Sequence, residues 1–306
     1  MKIHSHNEWD QLKEIIVGTA TNANWPSDDP VFAREAETTT WTESPPPSGP
    51  VPQWIIDETN EDLEGLVNIL DGAGVRVTRP RDLDFQSFGG MYNYCPRDRL
   101  LIVGETVVDP AMMYPCRDHE LQAYHDVVDS ATHYLHMPRN EDMVMDAANV
   151  CRFNDKLLFL ESKSGNRAAG EWLADQIPEV DIYGVSFYAG VHIDSTIVPL
   201  NDGTIMLNAS RVKENQLPEW LQSWDKIWVE DCVAQDFYQY PYASKWIGMN
   251  CLSIDPKTVI MDAAQTEIIK TLEQKKFTVI PHTLRHSRTL GGGFHCVTLD
   301  IRREHA

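Results

Sequence analysis

The sequence predicts an α/β protein built as a five-bladed propeller of pseudo-fivefold ββαβ units. Three observations lead to this prediction: four hairpin-like segments recur along the chain, a helical stretch and another strand follow each of them, and the two chain ends supply a fifth hairpin. The hairpins start roughly 50 residues apart, a spacing typical of propellers and repeat arrays. We therefore expect residues 1–306 to form a single domain.

Each predicted hairpin consists of two apolar runs joined by a short turn, the pattern of paired antiparallel strands. The hairpins span residues 99–110, 149–162, 195–210 and 251–263. Helical stretches follow them at residues 119–131, 166–177, 218–224 and 264–276, each before a further short strand. An additional helix at 61–74 has apolar residues at helical spacing and also precedes a strand.

The first unit needs a hairpin that its own segment does not supply. Residues 12–20 and 296–304 are both predicted strands, and their pairing would complete this unit and close the ring. A closed ring leaves no unpaired sheet edge and surrounds a central channel. Residues 38–54 are rich in proline, which cannot continue a helix or a central strand, so this segment is interpreted as a surface loop.

Composition excludes several kinds of partner. The chain carries a net charge of −20, whereas nucleic acids and anionic membranes bind basic surfaces. The acidic charge suits either a cationic substrate or simple solubility. No apolar run is long enough to cross a bilayer, and the amino terminus lacks signal or transit character, so a cytoplasmic location is expected. Six scattered cysteines without a C-x-x-C pair indicate reduced thiols.

Reactive side chains lie at the same point of each predicted unit, just before its first strand. They are Asp98, Asp146, His192 with Asp194, Ser244 and Cys296. Because equivalent points of a ring meet at one end of its channel, these side chains should converge. A thiol, an imidazole and a carboxylate form an activated nucleophile with an oriented base. Further carboxylates suit a guanidinium, which they bind through paired hydrogen bonds. The sequence thus predicts nucleophilic attack on a guanidinium carbon.

Each of these residues also has a simpler interpretation. Cys296 could be a small buried apolar side chain, and Asp146 could cap a turn. His192 and Asp194 could form a metal-binding pair or cap turns. The glycines at 291–293 could hold a phosphate or only bend the chain. The shared position of all the reactive residues in the repeat favours the catalytic interpretation.

Six segments resemble motifs of the amidinotransferases, a family that includes arginine:glycine and inosamine-phosphate amidinotransferases. They are HNEWDQLKEIIVG (6–18), YNYCPRDRLLIVG (92–104), MDAANVCR (145–152), GVHIDST (190–196), SKWIGMNCL (244–252) and LGGGFHCVTLDIRR (290–303). They stand in the same order as in the family. The resemblance implies the five-unit α/β propeller shared by guanidine-modifying enzymes, in agreement with the repeat.

The resemblance also implies a role for each matched residue of the reactive set. Cys296 would be the nucleophile that carries the amidino group. His192 would be the general acid and base, held in place by Asp146. Asp98 and Asp194 would bind the guanidinium nitrogens.

Further matched residues concern the rest of the substrate. Arg211 would receive the donor carboxylate, and Ser244 would help to hold the donor's amino-acid end. Arg117 and Glu120 match an Arg–x–x–Glu segment that we interpret as structural. Residues 189–191 are Ala-Gly-Val, where the vertebrate glycine enzyme has an Asn-Pro-Met segment lining its pocket. This difference puts glycine in doubt as the acceptor.

The implied reaction is a ping-pong transfer from L-arginine to a primary amine, such as glycine or 4-aminobutyrate, with release of ornithine. It proceeds through an amidino-cysteine and requires no cofactor or metal, and a homodimer is possible. A hydrolase of the same superfamily, an arginine deiminase that forms citrulline, is the main alternative. A non-catalytic arginine-binding scaffold and a metal hydrolase built on His192 and Asp194 are the others.

Overall fold

The computed structural model describes residues 1–37, 42–140 and 142–304. Its strands are β1 (Gln11–Val17), β2 (Asn24–Trp25), β3 (Gly49–Pro50), β4 (Arg76–Thr78), β5 (Leu101–Val103), β6 (Thr106–Asp109), β7 (His133–His136), β8 (Val150–Phe153), β9 (Lys156–Leu160), β10 (Asp181–Val185), β11 (Ile197–Asn201), β12 (Thr204–Asn208), β13 (Asp225–Val229), β14 (Leu252–Asp255), β15 (Thr258–Asp262), β16 (Thr278–His282) and β17 (Thr298–Glu304). Its α-helices are α1 (Pro30–Glu37), α2 (Gln53–Gly72), α3 (Pro96–Arg99), α4 (His125–Ser130), α5 (Arg167–Gln176), α6 (Thr266–Gln274) and α7 (Ser287–Leu290). Short 3-10 helices span Pro115–Tyr124, Ala147–Asn149, Glu214–Gln216, Glu219–Leu221 and Lys245–Met249.

The described strands form three-stranded sheets that share one connectivity, together with a small sheet of β2 and β3. In each three-stranded sheet, two antiparallel strands are followed by a strand parallel to the second. Four of these sheets, β5–β6–β7, β8–β9–β10, β11–β12–β13 and β14–β15–β16, come from consecutive segments. In the remaining sheet, β17 pairs with β1 and β1 pairs with β4. The four predicted hairpins and the pairing of the chain ends are confirmed.

Apolar side chains join these sheets in cyclic order. The clusters between successive units contain, in turn, Ile16 with Ile102, Val103 with Leu157, Leu158 with Ile205, Met206 with Val259, and Ile260 with Ile15. Successive side chains of a strand point to opposite faces, so one strand contributes to the clusters on both of its sides. The series of clusters returns to its starting unit. No sheet closes on itself in the described part of the chain, and the ring order is one of side-chain packing.

Two predicted helices differ from the structure. The segment predicted at 218–224 forms only a 3-10 helix at Glu219–Leu221, where the side chain of Gln222 donates to the carbonyl oxygens of Glu214 and Leu217. These bonds hold the segment as a series of turns. The segment predicted at 119–131 is a 3-10 helix that continues into α4. Residue periodicity located both segments, but it did not resolve the type of helix.

The predicted loop at 38–54 is wrong at its carboxyl end. Residues 49–50 form β3, and α2 begins at Gln53, directly after Pro52. Proline is tolerated at the start of a helix because its missing N–H would have no helical partner there. Burial of Ile55 and Ile56 then holds the first turns of α2 against the core. Residues 38–41 of the predicted loop lie outside the described residues.

The helix α2 is amphipathic, with Leu63, Leu66 and Leu70 buried on one face. None of the helices in the described segments combines the length and the apolar character that a membrane span requires. All six cysteines are free thiols.

Candidate active site

The predicted reactive residues line one pocket, close to the points where the first strands of the units begin. The pocket encloses about 1030 Å³, including its open mouth. The predicted residues on its wall are Asp98, Asp146, His192, Asp194, Arg211, Ser244 and Cys296. The structure therefore brings together all seven residues that the sequence singled out, and their roles remain predictions.

Cys296 lies in a turn before β17 that depends on glycine. Gly291 ends α7 with a φ of +83°, which glycine adopts without steric cost. A Cβ atom on Gly292 would lie 2.5 Å from Sγ of Cys95, closer than real contacts allow. The backbone N–H of Cys296 donates to Oδ1 of Asn250 at 3.1 Å. The turn thus places Cys296 at the pocket wall, although the residue as a whole is only 2% exposed.

His192 connects two carboxylates. Its Nε2 lies 3.0 Å from Oδ2 of Asp146, and its Nδ1 lies 3.6 Å from Oδ1 of Asp98. The other oxygen of Asp146 accepts the backbone N–H of Met113 at 2.8 Å, which fixes the carboxylate. His192 has a φ of +57°, a strained conformation for a residue with a side chain. Burial opposes protonation of the ring, but the two carboxylates outweigh it and raise the pKa of His192 to about 9.

One oxygen of Asp98 is satisfied and the other is open. Oδ2 accepts a hydrogen bond of 2.7 Å from Nη1 of Arg117. The Nε and Nη2 atoms of Arg117 donate to the two carboxylate oxygens of Glu120. Oδ1 is buried and has no hydrogen-bond partner among the described residues. Burial raises the pKa of the Asp98 carboxyl. A buried acceptor without a partner on a pocket wall is suited to a guanidinium N–H. Arg117 thus links Asp98 to Glu120, and the structural role of this pair stays a prediction.

Asp194 lies between the thiol and a second imidazole. Its Oδ2 is 3.2 Å from Sγ of Cys296 and 2.9 Å from Nδ1 of His295. Although burial favours protonation, the bond from His295 and the charge of its ring lower the pKa of Asp194 to about 2. Burial, followed by the charge of Asp194, raises the pKa of the Cys296 thiol well above its usual value. The free site therefore holds a neutral thiol beside an ionised carboxylate.

Arg211 provides a positive charge on the pocket wall. Its guanidinium lies over the ring of Tyr188, 4.1 Å from the centroid, and its Nη1 donates to Oγ1 of Thr196 at 2.9 Å. Its Nη2 is 3.5 Å from Oγ of Ser244. No carboxylate of the described residues lies within ion-pair distance of Arg211. The charge is thus available to an anionic group of a ligand, with the Ser244 hydroxyl beside it.

The described residues contain no group of three or more His, Cys, Asp or Glu side chains arranged to hold a metal ion. The ring nitrogens of His192 face Asp146 and Asp98, while Asp194 faces Cys296 and His295. His192 and Asp194 are therefore engaged with different partners and do not form the metal pair considered from the sequence.

Known proteins are similar to this chain in both sequence and fold. Inosamine-phosphate amidinotransferase 1 from Streptomyces griseus is 39% identical over 335 aligned residues, which cover 97% of this chain and 96% of the relative. The chain belongs to the amidinotransferase family. L-arginine:L-lysine amidinotransferase from Pseudomonas savastanoi pv. phaseolicola is 28% identical, with 98% and 94% covered. Mitochondrial glycine amidinotransferase from Xenopus tropicalis is also 28% identical, with 98% and 82% covered. No protein-family model matches the chain.

Solved structures show that this amidinotransferase has the α/β fold of its family. The inosamine-phosphate amidinotransferase from Streptomyces griseus superimposes with a TM-score of 0.93 at 38% identity, over 99% of this chain and 97% of that one. DDAH from Pseudomonas aeruginosa, solved with citrulline, gives a TM-score of 0.68 at 15% identity, over 94% and 99%. The second similarity is one of fold alone.

The sequence analysis missed three polar residues that organise the site of this amidinotransferase. Asn250 accepts the backbone N–H groups of both His295 and Cys296, and its Nδ2 donates to the backbone oxygen of Asp194. His295 bridges Asp194 and Glu8. A signal was present, because Asn250, His295 and Glu8 all lie inside segments that carry the family resemblance.

Proposed function

We propose that this amidinotransferase moves the amidino group of L-arginine to a primary amine, with Cys296 as the covalent carrier and ornithine as the first product. The observation that carries the proposal is a pocket in which a thiol, an imidazole, three carboxylates and an unpaired arginine lie together. This combination matches both ends of arginine, a planar cation and an amino-acid carboxylate.

Donor binding follows from the charges of the pocket. The open Oδ1 of Asp98 and the carboxylate of Asp194 accept the N–H groups of the guanidinium. The carboxylate of arginine binds Arg211, and Ser244 supports its amino-acid end. Charged hydrogen bonds of this kind contribute about 1.5–3 kcal/mol each. The cation also lowers the cost of ionising Cys296, so the thiol loses its proton to solvent as arginine binds.

In the first half-reaction, the Cys296 thiolate attacks the guanidinium carbon and forms a neutral tetrahedral adduct. His192 enters as the imidazolium and protonates the departing nitrogen, so the C–N bond breaks and ornithine leaves as the free amine. The remaining amidino-cysteine is cationic. Asp98 and Asp194 stabilise it because their charges are already in place and need no reorganisation.

In the second half-reaction, an acceptor amine attacks the amidino carbon. His192, now neutral, takes the proton that the new nitrogen loses. The C–S bond then breaks, which returns the thiolate and releases a guanidino product. Water must be kept from the amidino-cysteine during the exchange, since its attack would release urea in place of a guanidino product.

The acceptor we propose is a small amino acid, either glycine or another such as 4-aminobutyrate. Arg117 and Arg211 are the arginines on the described pocket wall, and Arg117 is already paired with Asp98 and Glu120. In a ping-pong reaction, Arg211 can hold the carboxylates of donor and acceptor in turn. A phosphorylated acceptor, suggested by the inosamine-phosphate relatives, would need further positive charge at this wall.

The alternative is an arginine deiminase reaction at the same residues. Both reactions use the same thiol, imidazole and carboxylates. They differ in the first leaving group, which is ornithine in transfer and ammonia in the deiminase reaction, and in whether an amine or water attacks the second time. Membership of the amidinotransferase family supports transfer.

We also propose that the five units form one propeller-shaped catalytic domain over residues 1–306, as the cyclic packing order suggests. A cytoplasmic location and assembly as a homodimer remain predictions from the sequence and the family resemblance.

The decisive experiment combines an intact-mass measurement with an amine panel. Arginine alone should add one amidino group to the protein; Cys296→Ser should abolish the addition, and Cys116→Ser, which alters a thiol outside the pocket, should retain it. Glycine, 4-aminobutyrate, lysine and an inosamine phosphate are then supplied with arginine, and guanidino products are identified by mass spectrometry. Citrulline from arginine alone at the rate of turnover would establish the deiminase. Transfer to the inosamine phosphate alone would refute the amino-acid acceptor.

A further inference from the structure

We infer that His295 is a positioning residue: as an imidazolium held between Glu8 and Asp194, it keeps the Asp194 carboxylate anionic and directed at the substrate cation beside Cys296. The inference rests on the proposed binding of arginine and adds a residue to which the sequence analysis gave no role. It concerns the charge state of Asp194 in the free site, before the reaction begins.

The geometry matches a doubly protonated ring. Nδ1 of His295 lies 2.9 Å from Oδ2 of Asp194, and Nε2 lies 3.1 Å from Oε2 of Glu8. A neutral imidazole has one N–H and one lone pair, so it would turn a lone pair towards one of these carboxylates. Only the imidazolium donates to both. His295 is buried, and water therefore cannot substitute for either bond.

The ring is held in place from several sides. Its backbone N–H donates to Oδ1 of Asn250 at 2.8 Å. Glu8 is itself fixed by Arg152, whose Nε and Nη2 donate to its two oxygens at 2.9 and 2.6 Å. Arg97 lies 3.7 Å from Glu8, and its charge works against protonation of the ring. The two carboxylates outweigh both this charge and burial, so the pKa of His295 is raised.

The imidazolium of His295 balances the negative charges that meet at Asp194. The same Oδ2 of Asp194 accepts the Cys296 thiol and the His295 ring. When Cys296 ionises, two anions stand side by side, and without a balancing cation Asp194 would take up the proton. A protonated Asp194 could no longer attract a guanidinium. His295, which does not line the pocket, supplies that cation through a bond that does not involve the substrate.

Two variants separate the two bonds of the ring. His295→Asn keeps a donor near the position of Nδ1, facing Asp194, whereas His295→Gln keeps one near the position of Nε2, facing Glu8. Both are neutral. Arginine binding is measured by calorimetry in a Cys296→Ser background, where turnover is absent. We expect His295→Gln to weaken binding about 10-fold or more and His295→Asn to weaken it less, because charged hydrogen bonds exceed neutral ones.

The pH dependence distinguishes positioning from a general loss of structure. With His295 present, Asp194 stays ionised from about pH 8 to about pH 5, so any weakening of binding over this range comes from Asp98, whose pKa is raised by burial. In His295→Gln, the pKa of Asp194 rises as well, so arginine binding should weaken more steeply than in the parent as the pH falls. Binding by His295→Gln with the strength and pH profile of the parent would overturn the inference.

A measurement on the unaltered chain covers the case in which the variants do not fold. Nitrogen-15 spectra of labelled histidine, assigned through the backbone, should show both ring nitrogens of His295 protonated at neutral pH. A single protonated ring nitrogen would refute the inference that His295 is an imidazolium held between Glu8 and Asp194. Should the Cys296→Ser parent fail to bind arginine, the donor proposal is wrong, and the nitrogen spectrum still decides whether His295 is the held cation.

Discussion

His192 and Cys296 are both held in their protonated forms in the free site. Two carboxylates raise the pKa of His192 to about 9, while burial and Asp194 raise the pKa of Cys296 well above its usual value. At neutral pH the site thus contains a neutral thiol and an imidazolium. In the proposed reaction, the acid that expels ornithine is therefore present before the substrate arrives, whereas the nucleophile forms only when a cation enters. Such a site discriminates in favour of cationic substrates.

The first prediction concerns pH. Because the first half-reaction needs protonated His192, and bound arginine has already ionised Cys296, the rate of ornithine release at saturating arginine should fall as the pH rises through about 9. Asp146→Asn removes a charge that supports the imidazolium, so the alkaline limb should move to lower pH. The rate should fall about 10²- to 10⁴-fold, the usual contribution of general acid–base catalysis.

Initial rates of ornithine release across the pH range test this prediction. Asp155→Asn, an exposed carboxylate in the turn between β8 and β9, is the matched control and should leave the profile unchanged. An alkaline limb that stays in place in Asp146→Asn would show that this carboxylate does not set the protonation of His192.

The second prediction concerns the donor carboxylate. Arg211→Gln should lower kcat/KM for arginine about 10- to 100-fold, since a charged hydrogen bond contributes about 1.5–3 kcal/mol. Agmatine, which has the guanidinium but not the carboxylate, should be affected little. Parallel kinetics with both donors measure the difference, and Arg167→Gln at an exposed position is the control. An equal loss with both donors would contradict a contact between Arg211 and the carboxylate.

The repeat position was sufficient to locate the reactive residues, because it recurs before the first strand of each unit. It was not sufficient to find their supports. Asn250 and His295 are 45 positions apart in the chain, and their hydrogen bond exists only after two units have packed. Pairings of this kind are set by tertiary contacts, and local patterns in a single sequence do not contain them.

At the scale of elements, the turn between α7 and β17 is the most constrained connection in the site. The third prediction is that Gly292→Ala lowers kcat strongly, since a Cβ would press against Sγ of Cys95 and the ring of Tyr94 and would displace Cys296. Overpacking typically costs about 1–3 kcal/mol of unfolding free energy.

Activity assays and urea unfolding measure the two effects. Gly72→Ala is the matched control, because its Cβ would meet nothing within 4 Å at the end of α2. Alanine there should be neutral or slightly stabilising. Full activity in Gly292→Ala would mean that the turn adjusts without moving the thiol.

Element boundaries were less predictable than element order. The apolar periodicity in 61–74 marked a real helix, but α2 starts at Gln53 because Pro52 can precede a helix as well as break one. The 218–224 segment shows the reverse error, since its backbone N–H groups bond carbonyl oxygens three residues back and not four. Proline and polar side chains have more than one local use, and tertiary packing selects among them.

Across the whole molecule, buried ion pairs tie the amino-terminal segment to distant units. Arg152 of β8 donates to Glu8 and also to Oδ2 of Asp300 in β17, at 2.7 Å. Arg303 donates to the same Asp300 oxygen at 2.8 Å, and Arg97 forms an ion pair with its other oxygen. The network joins both chain ends to the middle of the chain, and through Glu8 it reaches His295. The same charged groups therefore contribute to the stability of the fold and hold His295 in place beside Asp194.

The last prediction follows from the ionisation of this network. The arginines outweigh burial and hold the pKa values of Glu8 and Asp300 well below their usual range. Groups with depressed pKa values stabilise the folded state above their unfolded pKa values, about 4, and this stabilisation is lost as the pH falls. The urea midpoint should therefore decline steeply below about pH 5. Glu8→Gln should lower stability at neutral pH by about 3–5 kcal/mol and flatten that decline, because it removes one of the two carboxylates that pair with the buried Arg152, Asp300 being the other. Glu105→Gln, at a half-exposed position, should keep the parent profile. The variant keeps the arginines but lacks the carboxyl that titrates at position 8. An equally steep decline in Glu8→Gln would therefore show that other groups cause the loss of stability in acid.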